Sequence, residues 1–301
     1  MTPQVSKTSN LLHSLEGHKS LAPFTSWRIG GEADYYVSPT SEHEIQDILA
    51  LAQTQRLPLT LLGGGSNVLL SDEGIRGIVM HMNHRFAQFE FLDSGRVRAQ
   101  AGVRLGTLIK KSMAQNLAGI EQLWGIPGTI GGAVAMNAGA CNTEFFDVVE
   151  TITSLTPEGK RVVRQRHEIQ HGYRWTDYKF NGEIVIEAVI RLQDAPPEQI
   201  QQSFDAADKR RQPQHNIRQP NCGSVFRNPE GDYAGRLIQA LGAKGRALGK
   251  AQVSLDHANF IVNTGKASAR DTCLLIRSLQ ADVKAQFGVH LEPEVIFLGA
   301  F

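Results

Sequence analysis

Gly63-Gly-Gly-Ser-Asn67, and further along Gly125-Ile-Pro-Gly-Thr-Ile-Gly-Gly132 running on into Ala133-Val-Ala-Met-Asn-Ala-Gly-Ala140, are the stretches that decide how this chain is read. Glycine lets backbone N–H groups close on a phosphate, because it has no Cβ to block the approach and accepts positive φ at little cost. Neither stretch fits a common phosphate-binding pattern. There is no G-x-G-x-x-G opening a helix and no Gly-Lys-Ser/Thr of a P-loop. A diphosphate held between two separate turns is therefore the expectation, as for a dinucleotide bound by something other than a Rossmann unit.

Working outward from the first turn, Leu59-Thr-Leu-Leu62 reads as a short buried strand that delivers the chain into it. Upstream, Ser41-Glu-His-Glu44 is a capping-box pattern, and Ile45, Ile48, Leu49 and Ala52 repeat at helical spacing, which predicts a helix over 41–55. Ala33-Asp-Tyr-Tyr-Val37 reads as a strand, and Met1 to Ser20 as a loosely held arm. Downstream, 88–103 alternates like a hairpin, 105–116 reads as a helix, and 148–154, 162–163 and 184–192 as strands. Two prolines in Asp194-Ala-Pro-Pro-Glu198 mark a boundary. Beyond it lie a helix over 199–211, a helix capped by Ser268 with Cys273, Ile276, Leu279, Val283 and Phe287 on one face, and a closing strand over 289–298. The expected divisions are an arm at 1–20, lobes at 21–82 and 83–194, and a last domain at 195–301.

Composition narrows the class. A formal charge of +1 over 301 residues gives no bulk field for nucleic acid or a membrane surface, and no apolar run is long enough to cross a bilayer. Cys141, Cys222 and Cys273 are far apart and form no CxxC pair, so neither a disulfide framework nor a zinc site is expected. The polar N-terminal stretch lacks the apolar core of a signal peptide, and the expectation is a soluble cytoplasmic protein.

Three segments are more polar than their surroundings: His171-Gly-Tyr-Arg-Trp-Thr-Asp-Tyr178, Asn221-Cys-Gly-Ser-Val-Phe-Arg-Asn-Pro229 and Leu291-Glu-Pro-Glu-Val295. Converging, Ser224, Arg174 and Glu294 would supply a proton donor, a carboxylate clamp and an electrostatic partner. Singly, each has a plainer reading: a turn hydroxyl, a cation lying on Tyr173 or Trp175, and a solvated strand carboxylate. No G-x-S-x-G elbow surrounds Ser224, which makes it a poor hydrolase nucleophile. His81, His84, His167, His171 and His215 show no metal-ligand spacing and read as surface or packing histidines.

Taken in order, Ile29-Gly-Gly31, the two glycine stretches, Met136-Asn-Ala-Gly139, Tyr173-Arg174, Gly223-Ser-Val-Phe-Arg-Asn-Pro229, His257-Ala-Asn-Phe260 and Leu291-Glu-Pro-Glu-Val295 form a set. The set resembles the UDP-N-acetylenolpyruvoylglucosamine reductase family of bacterial peptidoglycan synthesis, in its shorter form without a lid-like insertion, from about residue 24 to the end. The resemblance implies an α+β, two-lobed, vanillyl-alcohol-oxidase-type FAD-binding fold followed by a smaller α/β substrate-binding domain, whose last strand returns to the flavin. It implies noncovalent FAD, with its diphosphate held by Gly63, Gly64, Gly65, Ser66 and Asn67 and by Gly128, Thr129, Ile130, Gly131 and Gly132, and with Asn137, Ala138 and Gly139 along the cofactor.

The reaction so implied has two halves. NADPH reduces FAD, and UDP-N-acetylglucosamine enolpyruvate then receives the hydride at its terminal methylene carbon. Negative charge builds on the carboxylate-bearing carbon and needs a preorganised clamp. The resemblance gives that role to Arg174 with Glu294, and makes Ser224 the proton donor that completes the muramate. It places Tyr173, Arg211, Asn228 and His257 on the substrate, and suggests a monomer. Two positions depart from the family: Ile296 stands where an arginine is usual, and Thr176 where serine is frequent. An alcohol oxidase or dehydrogenase of the same fold, or a noncatalytic nucleotide-sugar-binding descendant, are the alternatives.

Overall fold

Helix α1 (Glu42–Gln55) starts where the capping pattern predicts, with Ser41 Oγ accepting the Glu44 N–H at 3.2 Å. Its buried stripe of Ile45, Ile48, Leu49 and Ala52 is the one read from the spacing, and it ends on Arg56 in the left-handed region. In this computed structural model the described residues are 12, 14–140, 142–215 and 217–301, without the side chains of 213–215. Cys141, the His215 side chain and residues 1–11 and 13 of the expected arm lie outside them.

The chain forms two compact units that alternate along the sequence. The first comprises Met1–Glu16, Tyr36–Gly64 and Gly77–Arg211; the second comprises Gly17–Tyr35, Gly65–Arg76 and Gln212–Phe301. The contiguous segments expected from the sequence are thus a different partition. The reason is local: the first glycine turn hands the chain from one unit to the other, and the helix after the double proline stays with the first unit up to Arg211.

In the first unit, Leu59–Leu62 runs parallel to the end of Ile75–His81, pairing Leu62 with His81. A five-stranded antiparallel sheet follows, ordered Arg161–Gln165, Val149–Leu155, Ile184–Arg191, Arg96–Gln100, Phe89–Phe91. Helices α2 (Leu105–Met113) and α3 (Ile130–Met136) add Leu105, Leu108, Ile109, Ile130 and Val134 to the core built on that sheet. The second glycine stretch is more than a turn, since its last part is the first turn of α3. Helix α4 (Pro197–His215) begins at the second proline, where a missing N–H costs nothing.

The second unit is built on α5 (Ala234–Ala240) and α6 (Ala269–Phe287), with Ala251–Val253 antiparallel to Ile261–Asn263. Ser268 Oγ caps α6 at the Asp271 N–H, and Asp72 accepts the Ala269 and Arg270 N–H groups at 2.8 and 2.9 Å. A carboxylate on two such donors complements the positive end of the helix. Trp27 is 1 % exposed in this core, and its indole N–H donates to the Ile261 carbonyl at 2.7 Å.

Two expectations need correction. Glu16–Ser20 is a strand, so the end of the expected arm is ordered β structure. The closing strand spans only Ile296–Leu298, parallel to Val68–Leu70. Ahead of it Pro293 has no N–H for a ladder, and 292–294 pair instead through single bonds to 225–227.

Candidate functional site

The strand Leu59–Leu62 ends at Gly63, and the two glycine stretches then meet backbone to backbone. A Cβ on Gly64 would lie 2.8 Å from Gly128 Cα, and one on Gly63 would lie 3.0 Å from Thr129 Oγ1. Gly128 has a φ of +128°, which only glycine adopts readily. Thr129 Oγ1 is buried and has no hydrogen-bond partner among the described residues. A cradle without side chains and an orphaned hydroxyl fit an acceptor-rich group such as the diphosphate of FAD.

Not every residue assigned to that diphosphate can serve it through the backbone. The Ile130 N–H donates to Val103 O at 2.8 Å and the Gly131 N–H to Ala101 O at 2.9 Å. Gly131 is glycine because a Cβ there would press on Ala101 at 3.0 Å. Both are anchors of the turn. Gly65, with φ +62°, belongs to the second unit and packs on Phe24, where a Cβ would fall 1.9 Å from the carbonyl oxygen.

His81 supports the first turn from beneath and was not recognisable as a functional residue in the sequence. Its Nδ1 lies 2.7 Å from the Tyr36 hydroxyl, and the Gly63 main chain also hydrogen-bonds the ring. Burial lowers its pKa to about 4, against the raising effect of the Gly63 bond and with a small further lowering from His84, so the ring is neutral. In the unfolded chain it titrates near 6.5. Between those values the unfolded state binds the extra proton, so stability present above pH 6.5 is lost as pH falls toward 4. We expect His81→Gln to flatten the fall in urea midpoint between pH 7 and 4.5, by at most about 3 kcal/mol of pH-dependent stability.

Arg174 sits at the turn of a small hairpin, His171–Gly172 with Trp175–Thr176, and has a φ of +63°. Three side chains fasten that hairpin beside α3. Asn137 Nδ2 donates to Gly172 O at 3.1 Å, Thr176 Oγ1 to Ala135 O at 3.2 Å, and Arg174 Nη2 to Gly139 O at 2.7 Å. Asn137 is fully buried, and its remaining bonds go to Glu144 Oε2 and from the Phe146 N–H. Its side chain thus ties the Arg174 hairpin to Glu144 and Phe146. Thr176 supplies the hydroxyl that a serine would. The guanidinium lies 4.6 Å over the half-exposed ring of Tyr173, which with the Gly139 bond fixes its plane. Ala138 is buried, and its carbonyl accepts the Phe145 N–H at 2.8 Å.

Gly139 is the sensitive point of this arrangement. A Cβ there would meet Arg174 Nη1 at 2.8 Å and Thr143 O at 3.0 Å. Gly139→Ala should lower kcat/KM for the enolpyruvyl substrate by about 10- to 100-fold through misplacement of the cation. Steady-state kinetics of the purified variant, normalised to the flavin it carries by absorbance, would report this.

In the second unit, Ser224 is half-buried and follows Gly223, whose φ of +80° turns the chain. The next residues are held on both sides. Val225 N–H donates to Asn259 O at 2.8 Å, and Val225 O accepts the Glu294 N–H at 2.8 Å. Arg227 N–H donates to Glu292 O at 2.9 Å. Ser224 and Glu294 are thereby placed on neighbouring backbone segments. Asn67, from the first glycine stretch, donates through Nδ2 to Glu294 O at 3.0 Å and accepts the Ile296 N–H at 3.0 Å. Burial, and then the Glu294 charge, push the Cys222 thiol well above its usual range, which keeps it inert.

Of the remaining substrate candidates, Asn228 is exposed and its Oδ1 accepts the Ala234 N–H at 3.2 Å, at the start of α5. His257 Nδ1 accepts the Asn259 N–H at 3.2 Å, and burial with the Lys244 charge lowers its pKa. The ring is therefore neutral with its proton on Nε2. Arg211 is half-buried on α4, in the first unit. Ser66 belongs to the second unit, and a Cβ on Gly132 would make ordinary van der Waals contact with Thr129 Oγ1 at 3.8 Å.

Known proteins resemble the chain along nearly its whole length. The profile described as "UDP-N-acetylenolpyruvoylglucosamine reductase, C-terminal domain" matches residues 212–298, and one described as "FAD binding domain" matches 33–164. A UDP-N-acetylenolpyruvoylglucosamine reductase of Synechococcus sp. (strain WH7803) is 42% identical, covering 93% of this chain and 91% of that protein. One of Listeria welshimeri is 39% identical, covering 95% and 96%. The crystal structure of UDP-N-acetylenolpyruvylglucosamine reductase from Thermus caldophilus superposes with a TM-score of 0.81 at 32% identity, covering 93% of this chain and 97% of that one. The glycine cradle, the held Arg174 and the paired Ser224 and Glu294 segments thus belong to an FAD-binding oxidoreductase fold, and the chain is a member of the UDP-N-acetylenolpyruvoylglucosamine reductase family.

Proposed function

We propose that Ser224, Arg174 and Glu294 carry, in this chain, the NADPH-dependent reduction of UDP-N-acetylglucosamine enolpyruvate to UDP-N-acetylmuramate. The observation that supports this best is the fixing of Ser224 and Glu294 on adjacent backbone by the Glu294 N–H to Val225 O bond, with Asn67 of the glycine stretch gripping the Glu294 carbonyl. FAD, which the glycine cradle and Thr129 Oγ1 would hold, would supply the hydride-transfer chemistry between NADPH and the methylene carbon of the enolpyruvyl group.

The chain's own residues handle the charge and the proton. Arg174, its plane set by Gly139 and Tyr173, presents a planar fork suited to a carboxylate, and steadies the charge that grows on the adjacent carbon. Glu294 tunes the surroundings of Ser224, whose hydroxyl gives its proton to that carbon. An unassisted serine is a very weak acid, so the transfer depends on a positioned and charged neighbourhood. The glycine cradle with Thr129 Oγ1 is assigned to the diphosphate of FAD. Tyr173, Arg211, Asn228 and neutral His257 are assigned to the sugar nucleotide. The protein acts as a monomer in the bacterial cytoplasm.

Among the described residues no helix is long and apolar enough to cross a membrane. The activity is tested by NADPH consumption that depends strictly on the enolpyruvyl sugar nucleotide, with UDP-N-acetylmuramate identified by mass. NADPH consumed equally without that substrate, oxygen being the acceptor, would count against it.

A further inference from the structure

Asn259 is 2 % exposed and stands between residues assigned to the chemistry. Its side chain behaves like one more residue of a strand. Oδ1 accepts the Phe226 N–H at 3.0 Å and Nδ2 donates to Phe226 O at 2.8 Å. Its backbone carbonyl accepts the Val225 N–H at 2.8 Å, and its own N–H donates to His257 Nδ1 at 3.2 Å. One buried residue thus fixes both backbone groups of Phe226, one of Val225, and the tautomer of His257. On the opposite edge the same segment is held by Glu294 N–H to Val225 O and Arg227 N–H to Glu292 O, with the Arg227 guanidinium 3.8 Å from the Glu292 carboxylate.

A buried amide that satisfies both of its functions on main chain is a demanding arrangement. An apolar residue of similar size would leave the Phe226 N–H and C=O without partners. We propose that Asn259 is a positioning residue for Ser224, setting through its side chain the segment that carries the proton donor. The inference rests on the reading of Ser224 as proton donor. Its bonds go to the Ser224 segment and to His257, neither assigned to FAD or NADPH, so its influence is expected on one half-reaction only.

The test compares half-reactions in the FAD-loaded enzyme, with Ser224→Ala as reference. In Asn259→Leu, reduction of the flavin by NADPH should stay within about twofold of wild type, while anaerobic reoxidation by UDP-N-acetylglucosamine enolpyruvate slows by about 10- to 100-fold. The loss should sit in kcat rather than KM, and the solvent deuterium isotope effect on reoxidation should rise as proton transfer becomes limiting. Asn259→Asp keeps the acceptor for the Phe226 N–H and should recover part of the rate; it also serves if the leucine variant does not fold. Wild-type rates in both half-reactions, or equal slowing of both, would overturn the inference and leave Asn259 a folding residue. If Ser224→Ala itself reoxidises at the wild-type rate, the proton-donor reading fails and the inference with it.

Discussion

Ser224→Ala should slow the reoxidation of reduced flavin by UDP-N-acetylglucosamine enolpyruvate by about a thousandfold or more, with its reduction by NADPH unchanged. The asymmetry follows from where the proton is needed. Hydride arrival at the methylene carbon leaves negative charge on its neighbour, and that carbon must be protonated before product can form. Nothing in NADPH oxidation asks for this proton. The side chain is half-buried and follows a glycine with φ +80°, so loss of one oxygen there should change stability by less than about 1 kcal/mol. Rapid mixing under nitrogen separates the two steps. Equal rates of reoxidation in wild type and variant would remove Ser224 from the mechanism even if the overall reaction stood.

Gly64→Ala should weaken FAD binding by about 100-fold or more, because the added methyl has no direction in which to yield. It would lie 2.8 Å from Gly128 Cα and 3.3 Å from Gly128 C, both backbone atoms. The two turns would have to part by several tenths of an ångström, which would disturb the cradle proposed for the diphosphate. Quenching of FAD fluorescence on titration into apoprotein gives the affinity, and melting of the apoprotein gives the cost to the fold. An unchanged affinity would mean that the diphosphate lies away from the contact between Gly64 and Gly128.

Much of the scaffold was legible in the sequence because it follows from local rules. Helix α1 follows from Ser41 and the spacing of Ile45, Ile48 and Leu49, and α6 from Ser268 and its apolar face. The family was legible from an ordered set of short motifs. Less legible were features set by tertiary contact. A seven-residue helix begun inside a glycine-rich segment has almost no helical signature, since Gly131 and Gly132 lower its propensity. The closing strand reads as continuous by alternation, yet Pro293 and single bonds to 225–227 break it. Nor does any local pattern tell that Asn137 bonds the Arg174 hairpin at Gly172, that His81 hydrogen-bonds the first glycine turn, or that Asn259 grips Phe226. Those roles depend on partners 33 or more residues away for Asn259 and 35 for Asn137.

By this mechanism the chain passes hydride from NADPH, through its flavin, to an enolpyruvyl sugar nucleotide. This transfer is tested most directly by reducing the bound flavin anaerobically, adding one equivalent of UDP-N-acetylglucosamine enolpyruvate, and following the visible flavin band. Rapid return of the oxidised spectrum, with UDP-N-acetylmuramate formed in equal amount, is the result expected. Flavin that stays reduced until oxygen is admitted would contradict it.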